Sequence, residues 1–326
     1  MAEDTHFFRV ADHEVLQVVP ADAAEPSRRR AAAPPPRDLR WHLELCGVDR
    51  ARATWGLTGA GARVAVIDTG VNAAHPRLGG RAVAHDYTVT RDGPADADGH
   101  GSHCCGIVHD VAPGAEVHSF RVFDDELRAD RRSLVNALAA IRDGTHGRFD
   151  VVNMSLGSGQ PDQAMRILLL EICASGTLVC CAAGNSEAHD RDDAPRFGTV
   201  DWPAHYNSTI AVGSVDRRRR RSPFSSSGPK ITVMAPGQEV WSCWKDDSMA
   251  CLSGTSMASP FAAGVLALAA EMCAARGWAA PSLSEALCCM AKSCAGMEAP
   301  GFDFFTGYGC LDPRGFLGEL ARLRGG

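Results

Sequence analysis

Arg63-Val64-Ala65-Val66-Ile67 is a compact apolar run, with Gly61 before it and Asp68-Thr69-Gly70 directly after it. Successive apolar residues without polar alternation predict a strand buried on both faces, as in a parallel sheet covered by helices. The neighbouring chain repeats the theme. Residues 116–122 read as a second strand, 133–142 as a helix and 149–154 as a strand. Residues 161–174 have helical spacing, with Asp162 near their start and Gly176 just beyond their end. Residues 177–182 and 209–212 are further strands, and a long apolar helix follows Ser256. Ser282-Leu283-Ser284-Glu285 opens another helix with a capping-box pattern. This alternation predicts an α/β fold, a three-layer sandwich with a mainly parallel central sheet flanked by helices.

Composition narrows the function classes. A chain of 326 residues, 45% hydrophobic and 22% charged, can bury a sizeable core. A net charge of −6 gives no reason to expect nucleic acid or an anionic membrane as partner. No stretch is read as approaching the ~20 apolar residues of a membrane span. Met1-Ala2-Glu3-Asp4-Thr5-His6 is acidic and opens no apolar signal core, so a cytoplasmic location is favoured over a secreted one. The 13 cysteines include three adjacent pairs and no Cys-x-x-Cys, which predicts reduced thiols used as small core residues. Residues 14–20 predict one short strand, and 28–37 an exposed linker rich in Arg and Pro. Residues 1–40 are therefore set apart as an N-terminal extension and linker, a candidate short propeptide, from a domain at 41–326. Arg217 to Arg221 read as a solvated turn in preference to a nucleic-acid patch.

In a parallel sheet, sites form beyond the carboxyl ends of strands. Asp68, Ser155-Leu156-Gly157 and Ala183-Gly184-Asn185 all fall there. Asp68 follows four apolar residues, and a carboxylate in that place must be paired or hydrogen-bonded. Asp98-Gly99-His100-Gly101-Ser102-His103-Cys104-Cys105 presents an imidazole between glycines that permit close backbone approach. The two histidines and two cysteines could instead hold a metal, a weaker reading because no second ligand cluster exists. Leu252-Ser253-Gly254-Thr255-Ser256-Met257-Ala258-Ser259-Pro260 places Ser256 at a helix N-terminus, where backbone N–H groups favour developing negative charge. Pro260 is expected in the first turn, where its missing amide would go unused. A plain Ser/Thr helix cap is the competing reading.

These stretches together resemble the subtilisin-like serine proteases, or subtilases, over residues 41–315. Residues 64–71 look like the family's aspartate motif, and 99–103 its histidine motif with Ser102 in place of the usual threonine. Gly254-Thr255-Ser256-Met257-Ala258-Ser259-Pro260 matches the serine motif. Supporting stretches are Asn153-Met154-Ser155-Leu156-Gly157, Ala182-Ala183-Gly184-Asn185, Phe224-Ser225-Ser226-Ser227-Gly228, Met234-Ala235-Pro236-Gly237 and Gly307-Tyr308-Gly309. The resemblance implies a serine endopeptidase with a triad of Asp68, His100 and Ser256, and Asn185 as oxyanion donor. It implies that Ser155, Leu156, Gly157, Ala183 and Gly184 bind substrate backbone. By a loose alignment Asp201 lies at the floor of the S1 pocket, favouring Arg or Lys at P1. Arg28-Arg29-Arg30 would then be a self-cleavage site. A catalytically silent peptide-binding module is the alternative from another class.

Protein or peptide substrates are the expected partners, with no nucleic acid, no membrane and a monomeric chain. No cofactor or metal is required. Only His109 and Asp110 separate Gly106-Ile107-Val108 from Val111-Ala112-Pro113-Gly114, where many subtilases carry a calcium loop. A weak structural calcium elsewhere, near Asp190, Asp192 and Asp193, stays open. Cys104 stands four residues after His100, as in the branch resembling proteinase K.

Overall fold

The structure, a computed structural model, describes residues 9–10, 14–20, 39–186, 198–297 and 301–325. In chain order, β1 (Arg9–Val10) and β2 (Glu14–Pro20) precede the helices α1 (Trp41–Leu45) and α2 (Val48–Trp55). Then come β3 (Arg63–Asp68), β4 (Ala82–Asp86), α3 (His100–Val111), β5 (Glu116–Arg121), α4 (Arg131–Arg142) and β6 (Val151–Met154). They are followed by β7 (Leu156–Gly157), α5 (Gln163–Ala174), β8 (Leu178–Ala182), β9 (Ile210–Val215) and β10 (Val233–Pro236). Last are β11 (Val240–Cys243), β12 (Ser248–Ser253), α6 (Thr255–Ala275), α7 (Leu283–Ser293) and α8 (Pro313–Leu323).

Seven strands make one sheet in the order β10-β9-β8-β6-β3-β5-β4, and every pair in it is parallel. The apolar run 63–67 lies inside it, with Val64 between Val117 of β5 and Val151 of β6. From β3 the chain goes out to the edge strand β4, then reverses through β5 to β6 and β8. The steps β4–α3–β5 and β5–α4–β6 run the same way along the sheet, yet α3 packs with α6 and α4 with α5, so the two crossovers are of opposite hand. Helix α6 packs on α3 and beneath β6, β8 and β9. The reversal brings the carboxyl ends of β3, β6 and β8 together, where such sheets hold their sites.

The predicted caps form as read. Asp162 accepts from Met165 N at the start of α5, and Ser282 and Glu285 close a reciprocal capping box on α7. Arg217 to Arg221 bend through a turn that Asp216 holds from Arg218 N and Arg220 N. One expectation is corrected: α6, with 21 residues, is by length and composition apolar enough to cross a membrane. It is instead the core helix, with 83% of its apolar window buried, because small residues let the sheet and α3 close around it.

The strand expected at 14–20 forms as β2 and adds antiparallel to β12, extending the β11–β12 hairpin. Strand β1 pairs antiparallel with β7, with Arg9 opposite Gly157 and Val10 opposite Leu156. The Arg/Pro linker with Arg28 to Arg30, and Asp190, Asp192 and Asp193, lie outside the described residues.

At the β4 edge, His85 Nε2 meets His118 Nδ1 at 3.0 Å, and its ring centroid lies 4.0 Å from that of His146. Arg63 Nη2 reaches His118 Nε2 at 2.9 Å, Glu116 Oε1 lies 3.2 Å from the same nitrogen, and Tyr87 Oη meets His146 Nε2 at 2.8 Å. Burial, then the neighbouring histidines and Arg63, push the His85 imidazole from 6.5 down to about 4. Below pH 6.5 the unfolded chain binds a proton here that the folded chain refuses, so stability falls between pH 6.5 and about 4. Thermal melts across that range should show a larger loss of Tm for the parent than for His85→Gln. Equal losses would refute the assignment.

Candidate active site

Asp68 ends β3 fully buried, and its Oδ1 accepts from Thr69 N at 2.8 Å and meets His100 Nδ1 at 2.7 Å. His100 opens α3, and its glycine neighbours carry the predicted close approach. A Cβ on Gly101 would stand 2.2 Å from Gly70 O, so only glycine lets α3 start against the end of β3. Burial alone would lower the imidazole's pKa. The charge and hydrogen bond of Asp68, with Asp98 and Asp96 behind, outweigh that and hold it above its ordinary 6.5.

Ser256 is the second residue of α6. Its Oγ donates to Ser155 O at 3.3 Å. The expected place of Pro260 is corrected here. The helix begins at Thr255, so Pro260 lies in its second turn, and its missing N–H orphans the carbonyl of Ser256 four residues back. That oxygen finds donors elsewhere: Ser155 Oγ at 2.8 Å and Cys104 Sγ at 3.5 Å. Asn153 Nδ2 holds Ser155 Oγ at 3.0 Å, and Ser259 Oγ donates to Asn153 Oδ1 at 2.7 Å. The proline thus ties the start of α6 to the end of β6 and to α3. Cys104, one turn beyond His100 as expected, also lies 3.9 Å from His100 Nδ1 and bridges the two motifs from below.

Asn185 follows β8. Its Oδ1 accepts from Thr255 N and Thr255 Oγ1, both at 3.0 Å, while Thr255 Oγ1 accepts from Gly184 N at 3.1 Å. This fixes the amide, with Nδ2 beside Gly254, 3.3 Å from where a Cβ on that glycine would lie.

Asp201 sits between two chain segments. Its N–H donates to Ala183 O at 2.9 Å, and the next residue, Trp202, exchanges backbone hydrogen bonds with Ser158 at 2.8 and 3.0 Å. Its carboxyl group fills the space that side chains on Gly157 and Gly184 would occupy, 3.0 and 2.4 Å from their notional Cβ atoms. Burial raises the Asp201 carboxyl to about 6, and no donor or cation among the described residues meets it.

Two supporting residues were not anticipated. Asp96 accepts from Gly99 N and Ser102 N at 2.8 Å and from Thr69 Oγ1 at 2.8 Å, capping α3 where His100 begins. An acidic residue just before a helix start was the signal for it. Arg121, 2% exposed, donates to Gly93 O, Ala95 O and Phe123 O and so holds the loop that carries Asp96. Nothing local in the sequence marks it. The four-residue His/Cys metal reading fails: His103 Nε2 turns to Val240 O and Ala250 O at 3.1 Å. Among the described residues only Asp68, His100 and Cys104 bring ligand atoms together. The Asp68–His100 bond accounts for two of the three.

Residues 59–309 match the family model described as the subtilase family. The chain belongs to the subtilase family. It is 35% identical to subtilisin DY of Bacillus licheniformis over 238 residues, covering 69% of this chain and 82% of that protein. It is 34% identical to subtilisin E of Bacillus subtilis over 222 residues, 65% of this chain and 56% of that protein. M-protease of Shouchella clausii is 35% identical over 226 residues, 65% of this chain and 55% of that protein. This subtilase is a serine-type endopeptidase, and nothing in the comparisons favours the silent peptide-binding alternative. Subtilases are generally cofactor-independent, with optional structural calcium. The cytoplasmic expectation is corrected: the subtilisin relatives are secreted extracellular proteases, which outweighs an argument from the residues around Met1.

Proposed function

We propose that Ser256, His100 and Asp68 carry the endopeptidase reaction, through an acyl-enzyme at Ser256. The observation that supports this most is the 2.7 Å contact between Asp68 and His100, with Cys104, one turn on in α3, reaching the Ser256 carbonyl at 3.5 Å. Neutral His100 takes the Ser256 proton and returns it to the leaving amine, while Asp68 fixes the tautomer and stabilises the charged ring. The tetrahedral oxyanion is received by the Ser256 N–H and Asn185 Nδ2, donors that Thr255 holds in place before the reaction. Substrate lies as a strand along Ser155-Leu156-Gly157, with Ala183-Gly184 as the opposite wall. Asp201 closes the pocket between them and selects Arg or Lys at P1. Substrates are polypeptides, met by a monomer without nucleic acid or membrane. Labelling of Ser256 by a fluorophosphonate is the test.

Residues 1–40 act as an inhibitory extension of the domain at 41–326. The pairing of β1 with Leu156-Gly157 supports this, since it uses the strand edge that a substrate needs. Deleting residues 1–13 should lower KM for a peptide substrate with kcat little changed. An unchanged KM would exclude competition by β1.

A further inference from the structure

Cys46 caps the C-terminus of α1, and Cys310 lies 264 positions later in the chain, yet their sulfurs are 3.9 Å apart in the buried interior. Both backbones are held. Leu43 N and Glu44 N bond to Arg40 O, and Cys310 exchanges hydrogen bonds of 2.9 and 3.0 Å with Ala295 while Leu311 N bonds to Met234 O at 2.9 Å. A disulfide needs the sulfurs at about 2.0 Å, and at 3.9 Å the two are already in van der Waals contact. A cleft of about 240 Å³ opens on Cys46, lined also by Arg50, Arg219, Arg314 and Asp312. We infer that Cys46 and Cys310 are a redox-active pair that closes to a disulfide by exchange with a low-molecular-weight disulfide entering this cleft.

The environment divides the pair's labour. Contact with Cys46 and the Arg219 guanidinium hold the Cys310 thiol below its ordinary value, while contact with Cys310 and burial push the Cys46 thiol well above it. Cys46, at the cleft, is the sulfur a small disulfide RSSR can reach. Cys46 passes its proton to the Cys310 sulfur as it attacks, displaces one RS⁻ and forms a mixed disulfide; the RS⁻ leaves with that proton as RSH, which restores the Cys310 thiolate. The Cys310 thiolate then attacks the Cys46 sulfur and displaces the second RS⁻. Two protein thiols are oxidised, RSSR is reduced to two RSH, and the two protein protons end on the released thiols. The product joins the start of the domain to its last segment across almost the whole chain, the long-loop case in which cross-linking restricts the unfolded state most. Cys294 precedes Ala295, the backbone partner of Cys310, and interacts with Cys310 electrostatically, so it is the competitor to exclude.

The test is incubation of the folded full-length chain with oxidised glutathione, followed by denaturation without reductant and alkylation. The expected result is two of the 13 thiols protected and a cross-linked peptide pair carrying residues 46 and 310. The apparent Tm at fixed scan rate should rise by roughly 5–10 °C. Cys46→Ser and Cys310→Ser should lose both the link and the rise, and Cys294→Ser should keep both. Thirteen alkylated thiols, a stable glutathione adduct on Cys46, or a link from Cys310 to Cys294 would each overturn the inference. The link is mapped on the parent chain, so a serine variant that fails to fold does not weaken the test.

Discussion

Ser256→Ala is expected to lower kcat for a peptide substrate by about 10⁶ while KM changes little. That scale is the one measured for the serine of subtilisin itself and is taken over rather than derived. The physical reason is that the triad works as one unit. Without Oγ, the Asp68–His100 pair has no proton to accept, and only the oxyanion donors and substrate binding are left, worth roughly 10³–10⁴ over water. Substrate binding should survive, because Ser155, Gly157 and Gly184 recognise it through backbone. The Ser256 carbonyl, which anchors α6 to Ser155 and Cys104, is unchanged by the substitution. The measurement is hydrolysis of a chromogenic peptide, with fluorophosphonate labelling of parent and variant in parallel. A parent that takes no label, or a variant that retains activity, would sink the assignment.

Asp201→Asn should reduce kcat/KM for a substrate with Arg at P1 by about 10³ relative to the same substrate with Leu. The Asp201 carboxyl lies between Gly157 and Gly184, half-buried and unpaired among the described residues, and desolvation has pushed it up to about 6. An entering guanidinium would relieve that desolvated charge, and a neutral amide could not. The pH dependence has a definite sign. Below about pH 6 the empty pocket holds a neutral carboxyl and discriminates weakly; above it the carboxylate favours a cation. The Arg-to-Leu ratio should therefore climb as pH rises through about 6 in the parent and stay flat in Asp201→Asn. His100 titrates for both substrates alike, so the ratio cancels it. A parent preferring apolar P1 residues at pH 8 would dispose of the role.

Legibility in the sequence followed the range of the signals. The run Arg63 to Ile67 predicted a strand buried on both faces because its neighbours in sequence already exclude water-facing alternation. The caps at Asp162 and Ser282 were equally local, each bonding within three residues. Strands β4 and β10 went unread, since they acquire strand character from β5 and β9, beyond an intervening helix or loop; the β11–β12 hairpin went unread although its two strands are neighbours in the chain. Pro260 shows the same limit from the other side. Its effect on the Ser256 carbonyl is a local rule, yet the donors that satisfy that oxygen come from Ser155 and Cys104, more than a hundred residues earlier.

By itself the sequence determined the βα alternation, and with it which loops end at one edge of the sheet. Its short motifs around Asp68, His100 and Ser256 also carried the resemblance to the subtilases, from which the proposed triad follows. Only the tertiary structure decided which atoms surround Asp201, what pairs with the edge of β7 and which thiols meet. Asp201 between Gly157 and Gly184, β1 on β7, and Cys46 beside Cys310 are contacts between segments whose own residues carry no periodicity or cap to announce them. The reason is physical: burial and pairing energies belong to the assembled surfaces, and a chain segment alone does not contain them.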